Sequence, residues 1–236
     1  MNSYSPQQFS TLPPVIKNLI IINVLLFLAT MAFQHITGGG QLSDYLGLHY
    51  PSASQFMPYQ FITYMFMHGG FSHIFMNMFA LWMFGNVLEN IWGPKKFLIY
   101  YFVTGIGAAL THYAIFYFQI SPTLHAIDAY IAHPSLEQFS AFTSSQYFSI
   151  PSVDFQNTFN EFVGKYNEYV ASNPRQAVIE SVKLMYDYRD AVLNAPVVVG
   201  ASGAVFGVLL AFGLMFPNSL IYLYFFIPIK AKWFVI

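Results

Sequence analysis

Four long stretches of this chain are almost wholly apolar, and its polar residues gather between them. The stretches run approximately over Val15–Gln34, Gly70–Leu88, Phe97–Phe118 and Val197–Phe216. At about 1.5 Å per helical residue each approaches or exceeds the roughly 30 Å of hydrocarbon in a bilayer. A helix satisfies its own backbone N–H and C=O groups, as lipid requires of a lone crossing segment. The pattern therefore predicts four transmembrane helices. A lone Lys17 before the first run, with Ala29 and Ala32 near its end, has the look of a signal peptide, but the run is long and further spans follow. A fifth apolar run, Leu220–Ile229, is too short to span and is bracketed by Pro217 and Pro228, which suits an interfacial or re-entrant link. A last helix is expected to begin near Trp233, in the closing sequence Lys232-Trp233-Phe234-Val235-Ile236.

Between the third and fourth runs the pattern changes. Phe155, Phe159, Phe162, Val163, Tyr166, Tyr169 and Val170 recur at helical spacing, with Glu161, Lys165 and Glu168 between them. Asn173-Pro174 reads as an N-cap followed by proline at the first helical position, opening a helix that carries Val178, Ile179, Val182, Met185, Tyr186 and Leu193. A shorter helix is expected near Pro134. The chain thus divides into core helices over 1–119, an extramembrane helical insertion over 120–195 and a further core segment over 196–236. The amphipathic helices of the insertion could pack on one another, lie on the outer leaflet, or cover the mouth of a site.

Composition agrees with a membrane protein. Apolar residues are 56% of the 236, aromatics 19% and charged residues only 8%, against about 25% charged in soluble domains. The net charge of −1 gives no reason to expect nucleic acid as a partner. Cysteine is absent, which removes disulfides, thiol catalysis and cysteine-ligated metal. Outside the insertion the basic residues are Lys17, Lys95, Lys96, Lys230 and Lys232. With the N-terminus inside, all five fall on the cytoplasmic side. The insertion, with eight acidic and four basic residues, then lies outside.

Polar residues inside the apolar runs carry the chemistry. Gly200-Ala201-Ser202-Gly203 opens a run with no charge. If Asn194-Ala195-Pro196 marks the helix entry, Ser202 lies about two turns inside it. A hydroxyl there must face protein or a wet cavity, either as helix-packing material or as a nucleophile. Gly203 and Gly207, four apart, also make an ordinary small-residue packing face. On the second run His73 and Asn77 share one helix face, with His68 in the helix entry. They are either interhelical hydrogen-bonding glue or donors to a developing negative charge. No acidic residue lies within the spans and no His-Glu-x-x-His motif is present, so no metal is expected. Attack by Ser202 on a peptide carbonyl would need donors for the oxyanion, and His73, Asn77 and the Ser202 amide could supply three. Glycine at 200 and 203 would keep side chains out of the way of substrate backbone.

Together, His68-x4-His73-x3-Asn77 and Gly200-x-Ser202-Gly203 resemble the rhomboid intramembrane serine proteases, and Gly85-x3-Glu89 with Trp92-Gly93 resembles the end of that family's second span. The resemblance covers essentially everything except 120–195. It implies an all-α polytopic membrane protein with a rhomboid-like bundle, four transmembrane helices of a six-helix core being present here with the insertion between the third and fourth. It implies a cofactor-free endopeptidase that cuts single-pass transmembrane proteins in or beside the lipid bilayer. Ser202 would be the nucleophile, and His73, Asn77 and the Ser202 amide the oxyanion hole. His68 would support the loop between spans one and two, and Phe206 would pack against the catalytic histidine. That histidine belongs to a sixth span; none follows Ser202 in this sequence, so the chain is read as ending before its last two helices, and as a fragment it is expected to be inactive. His35, His49, His112, His125 and His133 match no family position. Where many members carry Trp-Arg in the first outer loop, this chain has Tyr59-Gln60, so a different loop anchor is expected. The alternatives are a non-catalytic rhomboid-like protein that binds transmembrane helices and a small-solute channel or carrier. Against the latter stand the absence of in-membrane charge and of inverted repeats.

Overall fold

A computed structural model describes residues 9–195, 197–223 and 226–234. The chain is mostly helical. Helix α1 spans Pro14–Thr37 and closes on Gly38 in the left-handed conformation. Two short helices follow, α2 (Ser43–Leu46) and α3 (Gln60–Thr63), the second continuing into a 3₁₀ turn at Tyr64–Phe66. Helix α4 (Phe71–Ala80) passes through a π-helical turn at Leu81–Gly85 into α5 (Asn86–Trp92), making one continuous crossing element. Helix α6 runs from Pro94 to Ala132, then α7 (Leu136–Thr143), α8 (Val153–Ser172), α9 (Pro174–Asn194) and α10 (Ser202–Met215). The described chain ends in a hairpin, β1 (Leu220–Leu223) paired antiparallel with β2 (Ile227–Lys230), and α11 (Ala231–Phe234).

Among the described residues three helices are long and apolar enough to cross a bilayer: Pro14–Thr37, Phe71–Trp92 and Pro94–Ala132. The expected fourth is shorter. Val197–Phe216 yields only the 14 residues of α10, because the preceding segment is not helical. Val198 exchanges both backbone hydrogen bonds with Leu48, and Gly200 takes a φ of +117°, a conformation that favours glycine and breaks a helix. Asn194 ends α9 and opens nothing; Pro196 lies outside the described residues. The third apolar run does not stop near Phe118 but continues helically through Pro122. The run at 220–229 forms most of the hairpin, where its backbone groups pair with each other.

The chain forms two compact units. The first comprises residues 1–48, 58–110 and 198–236. Its first span is capped from a distance. Pro13 precedes α1 with no side-chain cap, and the amides of Val15 and Ile16 instead donate to Glu89 Oε1 and Oε2 at 2.9 and 2.8 Å. A carboxylate on those amides satisfies two orphan donors and the positive end of the helix dipole together. Gly85 lets α1 come close: a methyl there would lie 2.6 Å from Ile16 Cδ1. The outward side of α1, with Ile21, Leu25, Leu28 and Met31, stays exposed, as a lipid-facing helix requires.

The second unit comprises residues 49–57 and 111–197. The insertion helices pack on one another. Phe139, Phe142, Phe155, Leu184, Met185 and Tyr188 are buried, with Phe159, Phe162, Tyr166 and Val182 against them. Val163, Val170, Ile179 and Tyr186 are exposed despite fitting the helical period. Asn173 caps α9 through Oδ1, which accepts from the Gln176 amide, and Ser135 caps α7 on the Gln138 amide. The loop 49–57 joins this unit: Ser54 donates to Asp190, and Asn194 donates to Ser54.

Candidate active site

Two stretches of the first unit meet at Gly200. His73 projects from α4, Ser202 begins α10, and a methyl placed on Gly200 would lie 2.7 Å from both Cε1 and Nε2 of His73 and 3.7 Å from Ser202 Oγ. The imidazole and the hydroxyl therefore face the same space over one glycine. Helix α10 starts at Ser202, and its first in-register bond is from Val205 N–H to the Ala201 carbonyl at 2.9 Å. The amides of Ser202, Gly203 and Ala204 have no such partner, as at any helix start. Ser202 is thus at the positive end of a helix and not two turns inside one. That position favours an anion beside its hydroxyl.

His73 and Asn77 keep the expected i, i+4 relation. Asn77 is buried and donates from Nδ2 to the carbonyl of His73 at 2.8 Å, so one of its two donors is spent within its own helix. Among the described residues no hydrogen bond joins Asn77 to Ser202. His68 is buried just before α4, with its ring edge-on to His73 at 5.0 Å between centroids. Burial, with His73 as a second cause, lowers its pKa to about 4, which keeps the ring neutral.

One expectation needs correction. Gly203 does not open the approach to the serine: a methyl there would meet Ala108 Cβ at 2.5 Å, and one on Gly207 would meet Thr104 Cβ at 2.5 Å. These glycines seat α10 against α6, four residues apart on each helix, with Tyr100 Oη donating to the Gly207 carbonyl at 2.8 Å. Gly200 faces the site. Phe206 is 70% exposed, and the histidine it is expected to pack against is not among the residues of this sequence. In the first outer loop Tyr59 Oη and Gln60 Nε2 both donate to the Tyr45 carbonyl at 3.2 Å.

Three groups carried no sequence signal strong enough to single them out. Asn23 is buried in α1 and donates to the Leu19 carbonyl. Glu89 appeared only as part of a motif, without its partner on α1. Tyr64 was one aromatic among many, yet its carbonyl accepts from the Gly200 amide and its hydroxyl donates to the Gly105 carbonyl.

A mostly helical chain with, among the described residues, three helices long and apolar enough to cross a membrane, and a serine at a helix start facing an imidazole, fits the class of polytopic membrane proteins with a polar site among their helices. Residues 55–122 match the family model of the rhomboid domain. The matched residues take in His68, His73 and Asn77 and end before Ser202. The chain is also 33% identical over 97 residues to rhomboid-like protein 11, chloroplastic, of Arabidopsis thaliana; the match covers 41% of this chain and 32% of that protein. The chain therefore spans about a third of the curated relative it matches. No solved structure matches.

Proposed function

We propose that this chain carries the nucleophile and oxyanion hole of an intramembrane serine endopeptidase that cuts transmembrane-anchored proteins. The convergence of the His73 imidazole and the Ser202 hydroxyl over Gly200 carries the reading. In it, Ser202 Oγ attacks the scissile carbonyl carbon and its proton passes to a general base. The carbonyl oxygen becomes negative next to the Ser202 amide at the start of α10, with His73 and the free Asn77 N–H as further donors. The C–N bond then breaks, the amine leaves with the proton, and water hydrolyses the acyl-serine. The rhomboid resemblance supplies the base as a histidine on a later helix. No cofactor enters.

A second reading has its own support. Gly203 and Gly207 pack α10 on α6, which accounts for part of the glycine motif without catalysis and suits a non-catalytic rhomboid-like protein that binds transmembrane helices. The full-length protein separates the two. Ser202→Ala should abolish cleavage of a single-pass substrate with expression intact, and persistent cleavage would remove the assignment. His73→Ala and Asn77→Ala should each lower turnover roughly 10²-fold or more, the scale of losing an oxyanion donor. If they lower thermal stability alone, the packing reading stands.

We also propose a cytoplasmic N-terminus with the insertion on the outer side, supported by Lys17, Lys95 and Lys96. Because the chain has no cysteine, single-cysteine labelling is free of background. An impermeant maleimide should label Ser144→Cys but not Lys95→Cys in intact cells; the opposite pattern inverts the topology.

A further inference from the structure

We infer that Tyr64 is a positioning residue for the Ser202 turn, tying the segment that ends in the serine to α6 through both its carbonyl and its hydroxyl. The inference rests on the endopeptidase reading for its effect on turnover, but not for its effect on the turn itself.

The segment before Ser202 has no helical bonds of its own. It is held by two attachments, the paired bonds between Val198 and Leu48 and the bond from the Gly200 amide to the Tyr64 carbonyl at 2.9 Å. The second attachment is only as firm as Tyr64. Its backbone belongs to a single 3₁₀ turn, a form with poor hydrogen-bond geometry and little stability of its own. The side chain supplies what the turn lacks. Tyr64 is 3% exposed, and its hydroxyl donates to the Gly105 carbonyl on α6 at 2.7 Å. Helix and turn are in direct contact there, since a methyl on Gly105 would lie 2.7 Å from Met65 Sδ. The hydroxyl also borders the serine-bearing helix, 3.6 Å from where a methyl on Gly203 would sit.

Two hydrogen bonds in series thus connect a rigid, membrane-crossing helix to the amide two residues before the nucleophile. The residue they hold, Gly200, is the one against which His73 is set. Any drift of Tyr64 moves Gly200, and with it the distance between imidazole and serine. Misplacing a reacting group by about 1 Å can cost roughly 10²-fold in rate. Removing one hydroxyl while keeping the ring should loosen the turn only in part.

The test uses the full-length protein in liposomes, with wild type, Ser202→Ala and Tyr64→Phe side by side. Tyr64→Phe should lower kcat about tenfold and leave KM for a single-pass substrate within about twofold, because positioning for the chemical step is lost and substrate binding is not. Para-aminophenylalanine at position 64 returns an N–H donor to the same place and should restore most of the rate. Amide exchange gives a readout independent of catalysis: the Gly200 amide should exchange faster in Tyr64→Phe, with the Tyr101 amide in mid-α6 unchanged. If wild type cleaves nothing, the endopeptidase reading fails and amide exchange alone judges the inference. Unchanged kcat in an active enzyme overturns it, as does unchanged Gly200 exchange. Loss of cooperative thermal unfolding in Tyr64→Phe also overturns it, by assigning the tyrosine to stability alone.

Discussion

Replacing Gly200 by alanine adds one methyl group at the point where imidazole and serine meet, and its consequences follow from geometry. The φ of +117° is one that side-chain-bearing residues rarely adopt, so holding alanine there costs about 1–3 kcal/mol of strain. The new Cβ would also lie 2.7 Å from Cε1 and Nε2 of His73, where carbon atoms prefer about 3.5–4.0 Å. Relief requires the imidazole or the turn to retreat by about 1 Å, and a retreat of that size costs on the order of 10²-fold in rate. Gly207→Ala is the control. Its methyl collides with Thr104 at a similar distance but has no atom of the site beside it. Both variants should lower the melting temperature; only Gly200→Ala should lower kcat roughly 10²-fold. The assay is initial-rate cleavage of a single-pass substrate by the full-length protein in liposomes, with thermal unfolding measured on the same preparations. Wild-type turnover in Gly200→Ala would refute the reasoning, since His73 could then be displaced without consequence. Equal kcat losses in the two variants would refute it too, by tracing the effect to helix packing.

Two further outcomes are expected. Glu89→Ala strips both acceptors from the start of α1 and should destabilise the protein by about 3–6 kcal/mol, at about 1.5–3 kcal/mol per hydrogen bond to a charged group; Glu89→Gln keeps one carbonyl oxygen and should cost about half. Denaturation in mild detergent measures both, and equal effects would mean that the carboxylate is not the cap. In the insertion, Tyr188 packs on Phe142, Phe148 and Phe155, accepts from the Ser149 amide and donates to the Tyr147 carbonyl. Tyr188→Ala should therefore cost about 3–5 kcal/mol and speed proteolysis between α7 and α8 by 10² or more, whereas Tyr188→Phe should do far less. Unchanged proteolysis in Tyr188→Ala would mean that this core does not depend on the tyrosine.

Much of the architecture was legible in the sequence because its signals are local. Three crossing helices follow from runs of apolar residues, since lipid tests each segment by its own length and polarity. The helices of the insertion follow from the period of their aromatics and from the Asn173 cap, whose partner lies three residues away. His73 and Asn77 share a face because helical geometry leaves them no choice.

What the sequence could not determine depends on contacts between distant residues. Where α10 begins was decided by the pairing of Val198 with Leu48 and of Gly200 with Tyr64, so taking Asn194-Ala195-Pro196 as the helix entry placed Ser202 two turns too deep. Gly200 and Gly203 look alike in the chain, but one faces the site and the other Ala108, because only the packing of α10 on α6 distinguishes them. The cap of α1 comes from Glu89, more than seventy residues along the chain. The loop 49–57 belongs with the insertion because Ser54 finds partners at the end of α9. Composition and period set what each segment can become; hydrogen bonds and close approaches between segments far apart in sequence set where the serine stands and what it faces.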